Sequence, residues 1–227
     1  MMDAVVLSLG GSILVRDPDS SDFIRKMSKM LIEISSKHKV YVVTGGGRIA
    51  RFYINNGRAL GADERALDIM GIETTRLNAR LLITALGAHA SPEPPRTYDE
   101  AAVAGMEHRI VVMGGVSPGI TTDAVSAYLA ERIGAKRLVN ATSVDGAYTA
   151  DPKKDSSAKK IPRMTHEALI KLVGTDPLGA GPNVVFDPAG SQVIAKNKIQ
   201  LAIVDGTDIG NLKNALCGSD FSGTLVE

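Results

Sequence analysis

Three short apolar runs in this chain each end on consecutive glycines, and that pairing constrains the fold more than anything else in the sequence. Residues 5–9 (Val-Val-Leu-Ser-Leu) run into Gly10-Gly11, residues 40–43 (Val-Tyr-Val-Val) into Thr44-Gly45-Gly46-Gly47, and residues 110–113 (Ile-Val-Val-Met) into Gly114-Gly115. Runs this apolar fit strands buried on both faces, and glycines just beyond them fit tight turns. Helical spacing fills the gaps. Phe23, Ile24, Met27, Met30, Leu31 and Ile34 recur at that spacing, with Ser21 and Asp22 as expected caps. Residues 48–57 and 63–86 carry helical patterns, and Val125, Leu129 and Ile133 share one face of a helix over 122–133. A fourth strand is expected around Leu138-Val139, a fifth over 199–204, and an edge strand over 223–226. Strands alternating with helices predict an α/β fold, a three-layer sandwich with a central, mostly parallel sheet and helices on both faces. At 227 residues the chain is long enough to close one core without staples and reads as a single domain over 1–227. Residues 151–163, rich in lysine and holding Pro152 and Pro162, read as a solvated loop and candidate flap.

In such sheets ligands bind beyond the carboxyl ends of the strands. Glycines and small polar residues gather there: Gly10-Gly11-Ser12, Gly45-Gly46-Gly47, Gly114-Gly115 and Thr142-Ser143. Glycine lets backbone N–H groups approach an anion with no Cβ in the way, and a helix starting behind it adds its positive end. The pattern predicts phosphate binding. No Gly-x4-Gly-Lys-Ser/Thr stretch occurs, which excludes a P-loop. Gly45-Gly46-Gly47-Arg48-Ile49-Ala50 matches the dinucleotide pattern Gly-x-Gly-x-x-Ala. The acid that pattern wants near the end of the next strand is missing, because Glu64 and Asp68 fall inside a helical stretch.

Composition removes other classes. Lys and Arg number 26 against 25 Asp and Glu, so a net charge of +1 offers no bulk attraction to nucleic acid or acidic membranes. With no Trp and 4% aromatics, stacking platforms for single strands are not expected. No apolar run reaches the roughly 18 residues of a membrane span, and Met1-Met2-Asp3-Ala4-Val5 lacks the basic start of a signal peptide. One cysteine, Cys217, allows no intrachain disulfide, and with four histidines it makes a poor zinc set. His38, His89, His108 and His166 stand singly, with no partner pattern for acid–base work. A cytoplasmic protein is expected.

Taken in chain order, the loop residues resemble the amino acid kinase family, and within it the archaeal type of UMP kinase. The matching stretches are Leu9-Gly10-Gly11-Ser12, residues 44–48 with Arg51, Leu67-Asp68-Ile69-Met70-Gly71, residues 114–123 (Gly-Gly-Val-Ser-Pro-Gly-Ile-Thr-Thr-Asp), residues 142–153, and Val185-Phe186-Asp187-Pro188, spread over nearly the whole chain. The resemblance implies phosphoryl transfer from Mg²⁺-ATP to UMP giving ADP and UDP. It implies magnesium carried by ATP with no separate protein metal site, and a homohexamer built from dimers. By position it implies ATP contacts at Gly10, Gly11, Ser12, Gly47, Arg51, Thr142, Ser143, Tyr148 and Asp151. UMP contacts are implied at Gly46, Asp68, Val116, Ser117, Pro118, Gly119, Ile120, Thr121 and Thr122, and reacting-centre roles at Asp187, Asp123 and Arg51. The acceptor half would cover about 1–130 and the ATP half about 131–227.

That chemistry needs no general base, since the acceptor phosphate is already an anion; the difficulty is bringing two anions together. This suits a chain without a persuasive catalytic histidine. Structural readings stand beside the functional ones. Arg48 and Arg51 near the start of a helix oppose its dipole, which suits phosphates, or are solvated surface groups. Asp68 is a ribose ligand or the polar face of a helix. Asp123 is equally an acid at a helix start, Asp187 before Pro188 an N-cap, Asp151-Pro152 an Asx-type turn, and Thr121 or Thr122 a cap. One departure stands out. Many relatives carry lysine two residues before the first paired glycine, where this chain has Ser8. The missing point charge would come from Arg48, Arg51 or an additional metal ion. Kinases of the same fold for isopentenyl phosphate, acetylglutamate, carbamate or aspartate, and a non-catalytic nucleotide sensor, are the alternatives.

Overall fold

The computed structural model describes residues 2–16, 19–150, 155–174 and 185–227. Its elements in chain order are β1 (Ala4–Leu9), α1 (Gly11–Leu14), α2 (Ser21–Ser35), β2 (Lys39–Thr44), α3 (Gly47–Ala59), α4 (Glu64–Leu86), α5 (Tyr98–Glu107), β3 (Ile110–Met113) and α6 (Thr122–Ile133). They continue with β4 (Arg137–Thr142), β5 (Ala147–Tyr148), β6 (Lys160–Ile161), β7 (Arg163–Met164), α7 (His166–Val173), α8 (Pro188–Asn197), β8 (Gln200–Asp205), α9 (Ile209–Cys217) and β9 (Thr224–Val226).

Alternation along the central strands divides the core in two. Val5, Leu7 and Leu9 of β1 join Val40 and Val42 of β2 and Ile110 and Val112 of β3 in one apolar layer, closed by α2, α4 and α9. Val6 joins Tyr41, Val43, Val111 and Met113 in the opposite layer, closed by α5, α6, α7 and α8. Each fully buried Leu or Val contributes about 1.5–3 kcal/mol relative to exposure. Because side chains alternate with period two, Ser8 falls on the α6 side of β1 and Asn140 on the same side of β4. The sheet runs β3-β2-β1-β4-β8-β9-β7. Its first five strands are parallel, β9 runs antiparallel to β8, and β7 is parallel to β9. This is the expected three-layer α/β sandwich. Helix α3 stands outside the layers, packed along α4 and burying only Ala50 and Gly57.

Four local expectations are corrected. Ser21 and Asp22 do not cap α2: Ser21 is its first residue, and its N–H and hydroxyl both donate to Asp19 Oδ1, at 3.2 and 2.7 Å. Those bonds hold the Asp19 carboxyl below its usual value, and Asp22 pairs with Arg25 instead. The 223–226 strand is not an edge, because β7 pairs on its far side. Nor is 151–163 simply a loop. Lys160 and Ile161 form β6 against β5, and Arg163 begins β7, while residues 151–154 lie outside the described residues. The fifth strand is shifted by one residue to Gln200–Asp205.

Candidate active site

The carboxyl ends of β1, β2 and β4 deliver three of the four glycine and hydroxyl loops to one cavity of about 320 Å³. Gly10, Gly11, Ser12, Gly45, Gly46, Gly47, Arg51, Thr122, Asp123, Asn140, Thr142 and Ser143 all line it. The loop after β3 lines an adjoining cavity of about 470 Å³, with Gly115, Ser117, Pro118, Gly119, Ile120, Thr121 and Thr122 on one side and Asp68, Gly71, Ile72 and Thr75 of α4 on the other. Gly46, Gly47, Arg51 and Thr122 belong to both. A further cavity of about 490 Å³ lies at the opposite ends of β4 and β8, around Arg137, Gln200, Phe221 and Glu227, and includes none of these loops.

Backbone packing explains the glycines. The loops after β1 and β2 lie so close that a Cβ on Gly11 would stand 2.3 Å from the Gly45 carbonyl oxygen and 2.4 Å from the Gly47 nitrogen. Gly47 itself sits at φ +61°, in the left-handed region. Gly10 N–H donates to the Ala141 carbonyl at 3.0 Å, tying the first loop to β4. Helices α3 and α6 then begin at the cavities and turn their positive dipole ends toward them. Arg51 lies one turn into α3 and donates from Nη2 to Ser12 Oγ at 3.3 Å, bridging two of the loops. Arg48 is exposed and lines neither cavity.

The acids take defined positions. Asp68 is half-buried and accepts the Gly119 N–H at Oδ2, 2.8 Å away, so the carboxylate tethers the 116–122 loop to α4. Thr121 caps α6 by accepting the Ala124 N–H, and its hydroxyl donates to Asp187 Oδ2 at 2.8 Å. Asp187 caps α8 through its other oxygen, which accepts the Gly190 N–H at 3.0 Å. It therefore has the cap role read from Pro188 and reaches the site through Thr121, lining neither cavity. Asp123 accepts from the buried Ser8 hydroxyl at 2.8 Å. Burial pushes the Asp123 carboxyl up to about 6, the Ser8 bond pulls it down, and the negative charge of Asp187 adds to the rise.

Of the implied nucleotide contacts in the described residues, Tyr148 and Val116 line neither cavity. Tyr148 lies on the β5–β6 hairpin and donates its hydroxyl to Asp145 at 2.8 Å, lining neither cavity. Asp151 lies outside the described residues. Val116 shapes its loop through its backbone, its carbonyl facing Arg76 Nη2 at 3.5 Å. Sequence reasoning missed Thr75, Asn78 and Asn140. Asn140 lines the first cavity and donates to the Val185 carbonyl at 3.0 Å. Thr75 and Asn78 hold the glycine loops from α4. The available signals were polar residues at buried positions, within an apolar helical period for Thr75 and Asn78 and within an apolar strand run for Asn140.

The sequence and the fold both have known counterparts. Residues 3–205 match the model of the amino acid kinase family. The chain is 50% identical over 204 residues to the uridylate kinase of Methanococcoides burtonii, covering 90% of this chain and 87% of the relative. It is 46% identical over 225 residues to that of Methanoculleus marisnigri, covering 99% and 96%. The crystal structure of uridylate kinase from Archaeoglobus fulgidus superposes with a TM-score of 0.89 at 41% identity, covering 99% of this chain and all of that one.

Proposed function

The chain belongs to the amino acid kinase family, and from that premise we propose that it is a UMP kinase, moving the γ-phosphoryl group of ATP to the phosphate of UMP. An oxygen of the UMP phosphate attacks the γ-phosphorus, the bond to the ADP oxygen breaks, and ADP leaves. The observation that carries the reading is the pair of cavities meeting at Gly46, Gly47, Arg51 and Thr122. The triphosphate of ATP and the single phosphate of UMP, one from each side, would meet where N–H groups of α3 and α6 and one guanidinium oppose their charge. ATP is assigned to the cavity of Gly10–Ser12 and Thr142-Ser143. UMP is assigned to the cavity of Asp68 and the 116–122 loop, with Asp68 accepting from the ribose beside its Gly119 bond. The UMP cavity draws its lining from residues 46–122, which supports an acceptor half over about 1–130; the ATP cavity draws on both halves.

Magnesium belongs to the same proposal. Asp123 and the hydroxyls of Ser12 and Thr142 are oxygen donors on the ATP cavity and suit a hard ion. Such an ion would supply positive charge to the ATP phosphates. A homohexamer built from dimers and a cytoplasmic location complete the reading. The exposed apolar side chains of Phe52 and Tyr53 on α3 and Leu77 on α4 support self-assembly, and among the described residues no helix is long and apolar enough to cross a membrane. The test is ADP release at saturating Mg²⁺ with UMP, CMP, dUMP and isopentenyl phosphate in parallel. Release with UMP well above the rate without acceptor is expected. No stimulation by UMP sinks the proposal in favour of a sensor, and stimulation by isopentenyl phosphate alone favours the other acceptor.

A further inference from the structure

Asn78 is 5% exposed, lies on the inner side of α4, and lines neither nucleotide cavity. Its Nδ2 donates to the Gly45 carbonyl at 2.7 Å and approaches the Gly46 carbonyl at 3.4 Å. The peptide unit is planar and trans, so the carbonyl of one residue and the N–H of the next point in opposite directions. A side chain that fixes the Gly45 carbonyl toward α4 therefore aims the Gly46 N–H away from α4, and the same holds for the Gly46 carbonyl and the Gly47 N–H. Gly46 precedes α3 and Gly47 begins it, so neither amide has an intrahelical acceptor. Both residues line both cavities. Glycine needs such a hold because it has no side chain to restrict its peptide orientation. Two threonines extend the same clamp. Thr44 Oγ1 donates to the Thr75 carbonyl at 2.8 Å, and Thr75 Oγ1 accepts the Gly115 N–H at 2.6 Å, so α4 grips the loops after both β2 and β3.

We propose that Asn78 is a positioning residue for phosphoryl transfer: by holding the Gly45 and Gly46 carbonyls it aims the Gly46 and Gly47 N–H groups at the phosphoryl group in transit. This rests on the UMP kinase reading. Donors fixed in advance stabilise developing charge without reorganising, so the role belongs in kcat as well as in ATP affinity.

Asn78→Leu keeps the approximate size and removes the donor. Asn78→Asp keeps the shape and replaces the donor with a carboxylate facing two carbonyls, which raises its pKa; once protonated, its hydroxyl can donate to the Gly45 carbonyl again. Full-length variants that melt cooperatively are compared with wild type for kcat, both KM values and the pH profile. Both variants are expected to lose about tenfold to a hundredfold in kcat at neutral pH. The rate of the Asp variant relative to wild type should then climb as pH falls, while that of the Leu variant stays flat. A folded Leu variant within about twofold of wild-type kcat overturns the proposal, and so does an Asp variant whose relative rate does not change with pH. Should either variant not fold, Asn78→Ala takes its place under the same kcat criterion. If wild type itself does not turn over UMP, the UMP kinase reading falls separately. Asn78 is then judged by calorimetric ATP affinity, which should weaken in the Leu variant; an unchanged affinity overturns its role.

Discussion

The hydroxyl of Ser8, near the carboxyl end of β1, is committed to Asp123. Ser8→Ala removes the bond that pulls the Asp123 carboxyl down, so the acid limb of kcat should move to higher pH. Ser8→Lys sets a cation beside that carboxyl and should move the limb to lower pH. A limb that stays fixed in both pH–rate profiles means that the ionisation of Asp123 does not limit the reaction. Stability follows the same group. Its folded pKa, about 6, lies above the usual 3.8, so its contribution is fully present below 3.8 and is lost as pH rises through about 6. Asp123→Asn should flatten denaturant-measured stability across that window. Asp68 joins ligand and scaffold in one carboxylate. Asp68→Ala should raise KM for UMP by the equivalent of about 1.5–3 kcal/mol with little change for ATP. Asp68→Asn, which keeps an acceptor for the Gly119 N–H, should lose less; equal losses in the two variants would mean that the loop tether adds nothing to UMP binding. Motif positions led to Asp68 and Asp123, which line the two cavities, and to Asp187, which lines neither and reaches them through Thr121. They did not lead to Asn78, because its partner carbonyls lie 32 and 33 residues away and belong to backbone, which no residue pattern records.

Elements differ in how visibly they announce themselves. Strands β1, β2 and β3 lie between two helical layers, which forces unbroken apolar runs, and α4 is long enough to repeat its period many times. Strands β5, β6 and β7 have two residues each, too few for any period. Helix α5 buries only Ala101 and Gly105, so it carries no large apolar stripe. Two loop glycines with similar backbone conformations should separate strain from crowding. Gly119 has φ +77° and open space around a would-be Cβ, so Gly119→Ala should cost about 1–2 kcal/mol of backbone strain. Gly47 has φ +61°, and its Cβ would stand 2.4 Å from the Gly11 carbonyl carbon. Gly47→Ala should therefore destabilise clearly more and weaken ATP binding by pushing apart the loops after β1 and β2. Equal melting temperatures for the two variants would contradict this account of the loop contact.

At the scale of the whole molecule, α3 faces two ways. Its first turns carry Gly47 and Arg51 to the two glycine-lined cavities, while Phe52 and Tyr53 remain 62% and 50% exposed and pack edge to face. Ile49 joins Leu77 and Leu81 of α4 along one shallow, mostly apolar groove, and Leu77 is 61% exposed. Apolar residues gathered on two neighbouring helices mark an interaction surface rather than scattered exposure. A net charge of +1 leaves little repulsion between copies of the chain. A specific interface needs about 800 Å² from each partner, and two aromatic rings contribute about 150–250 Å² each before the aliphatic groups are added. The Phe52→Glu, Leu77→Glu double variant should thus sediment at a lower mass than wild type. Because Arg51 is the next residue to Phe52, separation of the copies should also loosen the arginine that bridges to Ser12, so KM for ATP should rise in the double variant and, on dilution, in wild type. A double variant that sediments like wild type would mean that the copies meet elsewhere. One that dissociates with an unchanged KM for ATP would mean that Arg51 is held within its own subunit, by the Ser12 hydroxyl and the first turns of α3.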